Sequence, residues 1–596
     1  MKTYGFAKVD LTNGYLFEKQ ELNRTTTIQA VYDRFDETGR VGAFRFEWKE
    51  GDEPKPHIFW DSDVAKWMEG AAYILKKHED ADLAKKIDDL VALIKKNQGE
   101  DGYFNIYFTV VEPEKRFTNR DWHELYCAGH LMEAAVAVAE ATGKTDLLCC
   151  MEKYADYIHK VFVVEKSAAF STPGHEEIEL ALMKMYHYTG KRKFLDLCAH
   201  FINARGVVEE QNKNLYNQSH LPVREQDEAL GHSVRACYLY TGMAALALET
   251  GDEALKAACR RLYDDMVNCK MYVTGGLGST HIGEAFTARY DLPNDTAYAE
   301  TCASIGMIFF AHQMLQLEGD AKYADVIELE LYNGMLSGLS TDGAAFFYEN
   351  PLEINLNERF KGLHGERRFP ITERVAYFIC SCCPPNLNRV LSSLGQYVYG
   401  IDGDTLYVNQ YIGSTLKDGG ISCVMATDYP RTGVISVKAE GAAKVALRIP
   451  GWCKGFTLNK PYVMEKGYAV VENDSEIVLT LDMAAYAVFA DPRVLRDAGK
   501  LAVRRGPVVY CAEGVDNGSD LHGYLVKPGF KAAEIPSEFG LPALNVPCKK
   551  LLPLENGLYS AEMPGSEDAT LRMIPYNSFA NRGESDMLVW LTAALG

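Results

Sequence analysis

The stretch from Asp121 to Gly143 reads DWHELYCAGHLMEAAVAVAEATG. Apolar residues recur in it at three- and four-residue steps, the spacing by which an α-helix buries one face. It stops at a glycine, which can take the left-handed backbone that closes a helix without a Cβ penalty. The pattern returns in EEIELALMKMYHYTG (176–190) and in EALGHSVRACYLYTGMAALALETG (228–251). In EATGKTDLL, HYTGKRKFL, LETGDEALK and QLEGDAKYA, Gly143, Gly190, Gly251 and Gly319 each follow an apolar helix and precede a polar turn. These are helical hairpins, spaced at roughly 50–70 residues, and they fill the chain from about Ser62 to Gly400. A solenoid would keep a tighter period and a recurring signature. Irregular spacing, with polar excursions such as YNQSHLPVREQDE (216–228), instead predicts a closed (α/α)6 barrel whose inter-helix loops shape a pocket at one end.

After Gly400 the period changes to two. TLYVNQYIGSTL, GVISVKAEG, KVALRIPGW, YAVVENDSEIVLTLDM and KLAVRRGPVVYCAEG alternate, are rich in β-branched residues and are separated by Gly, Asp and Asn turns. About 200 such residues predict two small antiparallel β-sandwiches dividing near Asp497–Gly499. The predicted organisation is an (α/α)6 barrel catalytic domain over residues 1–400, a first β-sandwich over 401–498 and a second over 499–596. The strands carry few polar constellations, so they read as support or assembly modules. A homodimer through a β-domain is an expectation for which the sequence shows no seam.

Bulk properties exclude several classes of function. A chain of 596 residues is too long for one core. Its formal net charge of -20, with no basic run, argues against nucleic acid and against a membrane patch. The start, MKTYGFAKVDLTNGYLFEKQ, has no apolar stretch of a secretory signal, and nothing approaches the ~18 apolar residues of a membrane span. A cytoplasmic address is expected. Fifteen cysteines, odd in number and scattered, include Cys127, Cys198, Cys237 and Cys259 inside apolar helical segments. They read as reduced, buried small residues rather than a disulfide framework.

FICSCCPPN (378–386) is the exception. Cys380, Cys382 and Cys383 stand too close in sequence for an unstrained disulfide. Cys382 and Cys383 could converge on one metal if the backbone turns. Pro384 disfavours helical geometry at Cys383, and Pro385 suits the first position of a helix NLNRVLSSLGQYV. Upstream, GGLGSTHIGEAFTARYDLPNDTAYAETC (275–302) has neither the GK[ST] ending nor the βαβ setting of a phosphate loop. It carries Glu284, Glu300 and Cys302. On a regular helix Glu300 and Cys302 point about 200° apart, so they could share a ligand only if ETC precedes a helix or lies in its first turn. By themselves they read as a capping carboxylate and a core cysteine. With Cys382 and Cys383 they would make a Cys3Glu set suited to zinc.

The strings HELYCAGHLMEAAVA, STPGHEEIELAL, YDLPNDTAYAETCASIGM, FFYENPLE, CCPPNLNRVLSSLGQY, RIPGWCKG and RRGPVVYCAEG together resemble glycoside hydrolase family 127, the β-L-arabinofuranosidase family. FWDSDVAKWMEGAAY and NQGEDGYFNIYF extend the resemblance toward the N-terminus, in order, over nearly the whole chain. The resemblance implies an (α/α)6 barrel with β-sandwich domains and a retaining exo-glycosidase that removes terminal β-L-arabinofuranose from a small oligosaccharide or glycoside. It implies Zn2+ held by Glu300, Cys302, Cys382 and Cys383, with Cys382 as nucleophile and Glu284 as acid/base. It implies substrate contacts at His130, His175, His232 and Tyr348, and leaves Cys380 a bystander. His123 and His130 are seven residues apart, hence on one helix face, and periodicity cannot choose between them; the resemblance favours His130. The tract EQDEALGHSVR places His232 early in a helix, near the loop end. An anionic cluster beside Glu284 is expected to raise its pKa in a dry site. The alternatives are an α/α-toroid sugar epimerase or isomerase, which does not need the Cys3Glu set, a family member with another sugar specificity, and an inactive carbohydrate-binding protein.

Overall fold

In the computed structural model, which describes residues 1–359 and 367–594, five helical hairpins follow one another. They are Trp60–Lys77 with Ala81–Asn97, Glu124–Thr142 with Asp146–His159, Ile178–Thr189 with Arg192–Ala204, Ser233–Thr250 with Glu253–Asp265, and Thr301–Glu318 with Ala321–Leu329. A further helix, Cys383–Ser392, has Tyr15–Leu22 and Ile28–Glu37 packed beside it. The first helix of a pair is apolar nearly all round and buried, as in the unbroken buried run from Glu124 to Ala139. The second buries one stripe only: Leu83, Ile87, Leu90 and Ile94 in Ala81–Asn97. The first helices pack on one another in chain order, and Cys383–Ser392 packs back on Trp60–Lys77.

The glycines end these helices as the sequence predicts. Gly143, Gly190, Gly251 and Gly319 have φ of 74°, 69°, 69° and 65°, and each donates its N–H to the carbonyl four residues back. Gly129 serves close approach instead. A Cβ there would lie 2.6 Å from Glu177 Cγ and 3.0 Å from the Ile178 backbone, so the helices 124–142 and 178–189 touch through it.

The β part departs from expectation in three ways. Lys2–Thr3 and Val9–Asn13 pair with Tyr399–Asp402 and Gly413–Asp418, so the chain begins inside the two six-stranded sheets that follow the helices. Inward residues of both sheets, among them Leu406, Val445, Ile435 and Leu479, share one core. Second, two pairings are parallel: Thr405–Val408 with Lys444–Arg448, and Tyr524–Val526 with Leu591–Ala593. Alternation along a strand reports which face is buried and says nothing of a neighbour's direction. Third, in the ten-stranded last sheet Lys500–Arg505 pairs with both Leu591–Ala593 and Val508–Glu513, so six strands close on themselves instead of forming two open layers. Closure removes edge strands. Among the described residues no helix is long and apolar enough to cross a membrane.

The last sheet has a direct bearing on the helical domain. Its strand Met587–Leu588 pairs with Glu353–Ile354, and Tyr576 Oη donates to the carbonyls of Asn350 and Pro351 at 3.1 and 3.0 Å. The loop carrying Tyr348 and Glu349 is thereby pinned from below.

Candidate active site

Helices of the inner set present their N-terminal ends to one pocket of about 400 Å3, Trp60–Lys77 among them through Ser62 and Asp63. His123 immediately precedes Glu124–Thr142, His232 precedes Ser233–Thr250, Glu300 precedes Thr301–Glu318 and Cys382 precedes Cys383–Ser392. His175 stands three residues before Ile178–Thr189. Unpaired N–H groups and the positive end of the helix dipole favour negative charge at such ends. All five residues line the pocket, with Glu284, Cys302 and Tyr348.

Glu300 and Cys302 act on one point because Glu300 lies outside the helix. Its backbone is extended (φ -64°, ψ 136°) while Cys302 sits in the first turn, the geometry the ETC spacing requires. Glu300 is held there by an antiparallel bridge to Glu349, and the Thr301 N–H donates to the Tyr348 carbonyl at 2.9 Å. On the other side the helix begins earlier than expected: Cys383 is its first residue, with both prolines in the first turn. Proline is tolerated there because first-turn N–H groups have no intrahelical partner to lose. The turn that brings the two thiols together therefore comes before Cys382.

The ligating atoms of Glu300, Cys302, Cys382 and Cys383 all lie within 4.8 Å of one another and could hold a metal ion. The sulfur of Cys302 is 3.3 Å from that of Cys383 and 3.6 Å from that of Cys382, and Cys382 to Cys383 is 3.8 Å. Glu300 Oε1 is 3.8 Å from Cys382 Sγ and 3.9 Å from Cys383 Sγ. Its Oε2 is buried without a hydrogen-bond partner. Cys302 and Cys383 are buried, whereas Cys382 is partly exposed and faces the pocket 3.4 Å from Tyr348 Oη. Thiols of Cys302, Cys380 and Cys383 bonded to the Cys382 sulfur hold it well below the ordinary thiol range, while burial pushes Cys302 and Cys383 well above it. Cys380 stands outside the four-ligand set yet lines the pocket, 3.8 Å from Tyr348 Oη.

Glu284 sits on a strained step. Gly283 and Glu284 are consecutive left-handed residues (φ 69° and 52°), a conformation that costs a non-glycine residue on the order of 1 kcal/mol or more. The step aims the carboxylate at His232, whose Nε2 is 2.7 Å from Oε2. Burial raises the Glu284 pKa, but the interaction with His232 outweighs it and leaves the carboxyl below its ordinary value. The expected elevation is thus reversed, because the nearest partner is an imidazole rather than the thiols.

His123, His175 and His232 form a row, ring centres 5.5 Å apart at each step. Burial lowers all three, His123 to about 3, so they face the pocket as neutral imidazoles able to donate and accept. His130, expected at the substrate, is elsewhere. It is fully buried, does not line the pocket, and puts Nδ1 3.2 Å from both Glu133 Oε2 and Glu177 Oε1. Seven residues keep a side chain on the same face but carry it about 10 Å along the axis, so His123 takes the mouth and His130 the depth. Sequence reasoning also passed over Asp63, Tyr216 and Arg235, which line the pocket. Asp63 keeps Oδ1 buried and unpartnered, and Arg235 stacks 4.3 Å over the Tyr216 ring. Position just before, or in the first turn of, an apolar helix was the available signal for Asp63 and Arg235.

Comparison with known proteins agrees along the whole chain. Residues 8–396 match the family description "Beta-L-arabinofuranosidase, GH127 catalytic domain". Residues 405–475 match the GH127 middle domain and residues 486–592 the glycoside hydrolase family 127 C-terminal domain. A non-reducing end β-L-arabinofuranosidase of Bifidobacterium longum subsp. longum is 39% identical over 594 residues, 90% of each chain. Among solved structures, a GH127 β-L-arabinofuranosidase from Geobacillus stearothermophilus T6 is 39% identical with a TM-score of 0.93, covering 98% of this chain and 100% of that one. A GH127 β-arabinofuranosidase is 34% identical with a TM-score of 0.90, covering 100% and 98%.

Proposed function

The chain belongs to glycoside hydrolase family 127 and is a glycoside hydrolase, and from that premise we propose that it removes non-reducing terminal β-L-arabinofuranose, or a closely related furanose, from a small oligosaccharide or glycoside with retention of configuration. Cys382 is the nucleophile and Glu284 the acid/base. The observation that carries the assignment is accessibility: of the three clustered sulfurs, only that of Cys382 belongs to a partly exposed residue, and it shares the pocket with Glu284.

Glu300, Cys302, Cys382 and Cys383 suit zinc. A thiolate binds zinc at ~2.3 Å, which sets sulfurs of a tetrahedral site roughly 3.8 Å apart, and the sulfurs here are 3.3, 3.6 and 3.8 Å apart. Spacings well beyond the ~2.05 Å of a disulfide exclude an S–S bond, and the orphan Oε2 of Glu300 is a donor in need of a partner. When bound, zinc keeps the coordinating thiols deprotonated at neutral pH. The furanose is held by the neutral row of His123, His175 and His232 and by Tyr348. Glu284 protonates the glycosidic oxygen as Cys382 Sγ attacks the anomeric carbon, giving a thioglycoside. Glu284, now a carboxylate, takes a proton from water, and the water displaces the sulfur. In the free protein the His232 contact favours the ionised form of Glu284, so the acid form is loaded by a proton taken up from solvent as the furanoside displaces water from the carboxylate.

One further observation favours a rival. Carboxylate oxygens of Glu284 and Glu300 approach within 4.8 Å, close to the ~5–5.5 Å at which two carboxyls of a retaining glycosidase stand. Glu300 would then be the nucleophile and the thiols structural. Cys382→Ser with zinc quantified decides: retained zinc with retained activity sinks the thiolate role. For the acid, Glu284→Ala should lose on the order of 10²–10⁴-fold on a natural disaccharide and far less on an aryl glycoside whose leaving group needs no proton. Equal losses on both would refute it.

We read the helical part as an (α/α)6 barrel over 1–400, supported by six first helices that meet in order with the last against the first. The β-domains are read as 401–498 and 499–596, with the opening strands joined to the first of them.

A further inference from the structure

Beside the catalytic pocket lies a second cleft of about 320 Å3, and the two share Glu284, Tyr348 and Cys380 as a common wall. The rest of the lining is of two chemical kinds. Part of it is apolar: Ile379 is 80% exposed, with half-buried Phe378 beside it in sequence. The same lining holds a charge pair. Arg368 donates to both oxygens of Glu349, Nη1 to Oε2 at 2.9 Å and Nη2 to Oε1 at 2.5 Å. Glu349 is buried and fixed by its bridge to Glu300, while the Arg368 side chain is 48% exposed. A guanidinium has five N–H donors, and among the described residues two are spent on Glu349, which leaves three for a ligand. An exposed isoleucine and a fixed, solvent-open ion pair lining one cleft suit a ligand with a C–H face and hydroxyl groups at once.

We propose that this cleft is the subsite for the leaving group, and that the leaving group is a second sugar. The placement rests on Glu284 being the acid of the proposed reaction: the oxygen it protonates belongs to the leaving group, which must therefore lie along the Glu284 wall. Ile379 and Phe378 pack against the C–H face of that sugar. Arg368, positioned by Glu349, donates to its hydroxyls. A wholly apolar aglycone would instead cover the ion pair without satisfying it, which is costly.

Three glycosides of the same β-L-arabinofuranose test this: an arabinosyl disaccharide, the methyl glycoside and a nitrophenyl glycoside. The wild-type enzyme should prefer the disaccharide to the methyl glycoside by at least about tenfold in kcat/KM, and Arg368→Met should cut that ratio about tenfold, as expected when a hydrogen bond to a charged group is lost. Ile379→Asn, at a position too exposed to matter for folding, should cut the ratio about threefold through lost packing. Unchanged melting temperatures separate both effects from misfolding. A ratio that neither variant moves, or equal wild-type turnover of disaccharide and methyl glycoside, overturns the subsite. A fall of the same size on the nitrophenyl glycoside, which offers Arg368 no hydroxyls, overturns the sugar assignment while leaving the hydrolase reading intact. Turnover of none of the three overturns both readings.

Discussion

Besides His232, Glu284 and Glu300 at the pocket, two groups of largely buried ligating side chains occupy the helical domain among the described residues, and by composition either could hold a metal. One is Glu300, Cys302, Cys382 and Cys383; the other is His130, Glu133 and Glu177. They differ in how their charge is balanced. Glu133 is gripped by Arg389, Nη1 to Oε2 at 2.6 Å, and by Lys184, and Arg389 also reaches Glu69 at 3.0 Å. Burial works against the Glu133 charge, but Lys184 and Arg389 outweigh it and hold the carboxyl well below the usual range. The protein thus supplies its own cations to the second group. In the first, among the described residues, Glu300 forms no ion pair, and the cation whose charge acts on Cys382 and Cys302 is the buried Lys66, which hydrogen-bonds Tyr126 rather than a member of the group. Buried charge must be paired or bound to metal, so composition alone misleads, and direct ion pairs to Arg389 and Lys184 mark the second group as a charge network closed by the protein itself.

The largest test of that contrast removes a ligand from the first group. Cys302→Ala should strip the metal and lower kcat/KM on the order of 10³-fold or more, because three remaining donors no longer close a four-coordinate site. Metal content by atomic spectroscopy and activity on one glycoside are read on the same sample. Stoichiometric metal together with activity within tenfold of wild type would remove the basis for treating the two groups differently.

How much of this contrast was legible in the sequence depends on whether it is local. Helix ends are local, and Gly143, Gly190, Gly251 and Gly319 announced the hairpins. The ETC step is local too: the 200° that separates Glu300 from Cys302 on a helix forces one of them outside it, and Glu300 is outside. Depth is not local. His123 and His130 share a face, and only the position of the pocket along the helix axis distinguishes them. Pairing is not local either, so Val9–Asn13 gave a strand pattern too short to reveal its partner Gly413–Asp418. Nor could spacing show that Arg389, 256 residues from Glu133 in sequence, would neutralise it.

A smaller effect is expected from the second group, and it concerns stability rather than catalysis. Arg389→Met leaves Glu133 and Glu69 buried with Lys184 alone against them, and should cost about 3–5 kcal/mol, the usual penalty for breaking one side of a buried ion pair. Arg389 also donates Nε to Asn386 Oδ1 at 2.6 Å, inside the helix that Cys382 and Cys383 open, so metal content is the informative control. Chemical denaturation should show the loss while purified folded protein keeps its metal. Loss of metal with no change in stability would reverse the roles assigned to the two groups.

The smallest effect is a slope. Burial and the neighbouring Glu133 carboxylate push Glu177 well above the ordinary carboxylate range, so it keeps a proton where Glu133 does not. A carboxyl raised by folding binds its proton more tightly in the native than in the unfolded chain. Its contribution is fully present below the unfolded value near pH ~4.3 and is lost as pH rises toward the folded one, by up to about 1.4 kcal/mol per pH unit. Glu177→Gln keeps the shape of the protonated group and cannot ionise. Its stability should therefore match wild type near pH 4 and fall less steeply above it, whereas Glu133→Gln, which discards the carboxylate that Arg389 and Lys184 require, should be destabilised at every pH. Denaturation midpoints from pH 4 to 8 for the two variants measure this directly. Parallel wild-type and Glu177→Gln profiles would mean that both carboxylates are ionised and that the balance of cations in the second group is wrong by one charge.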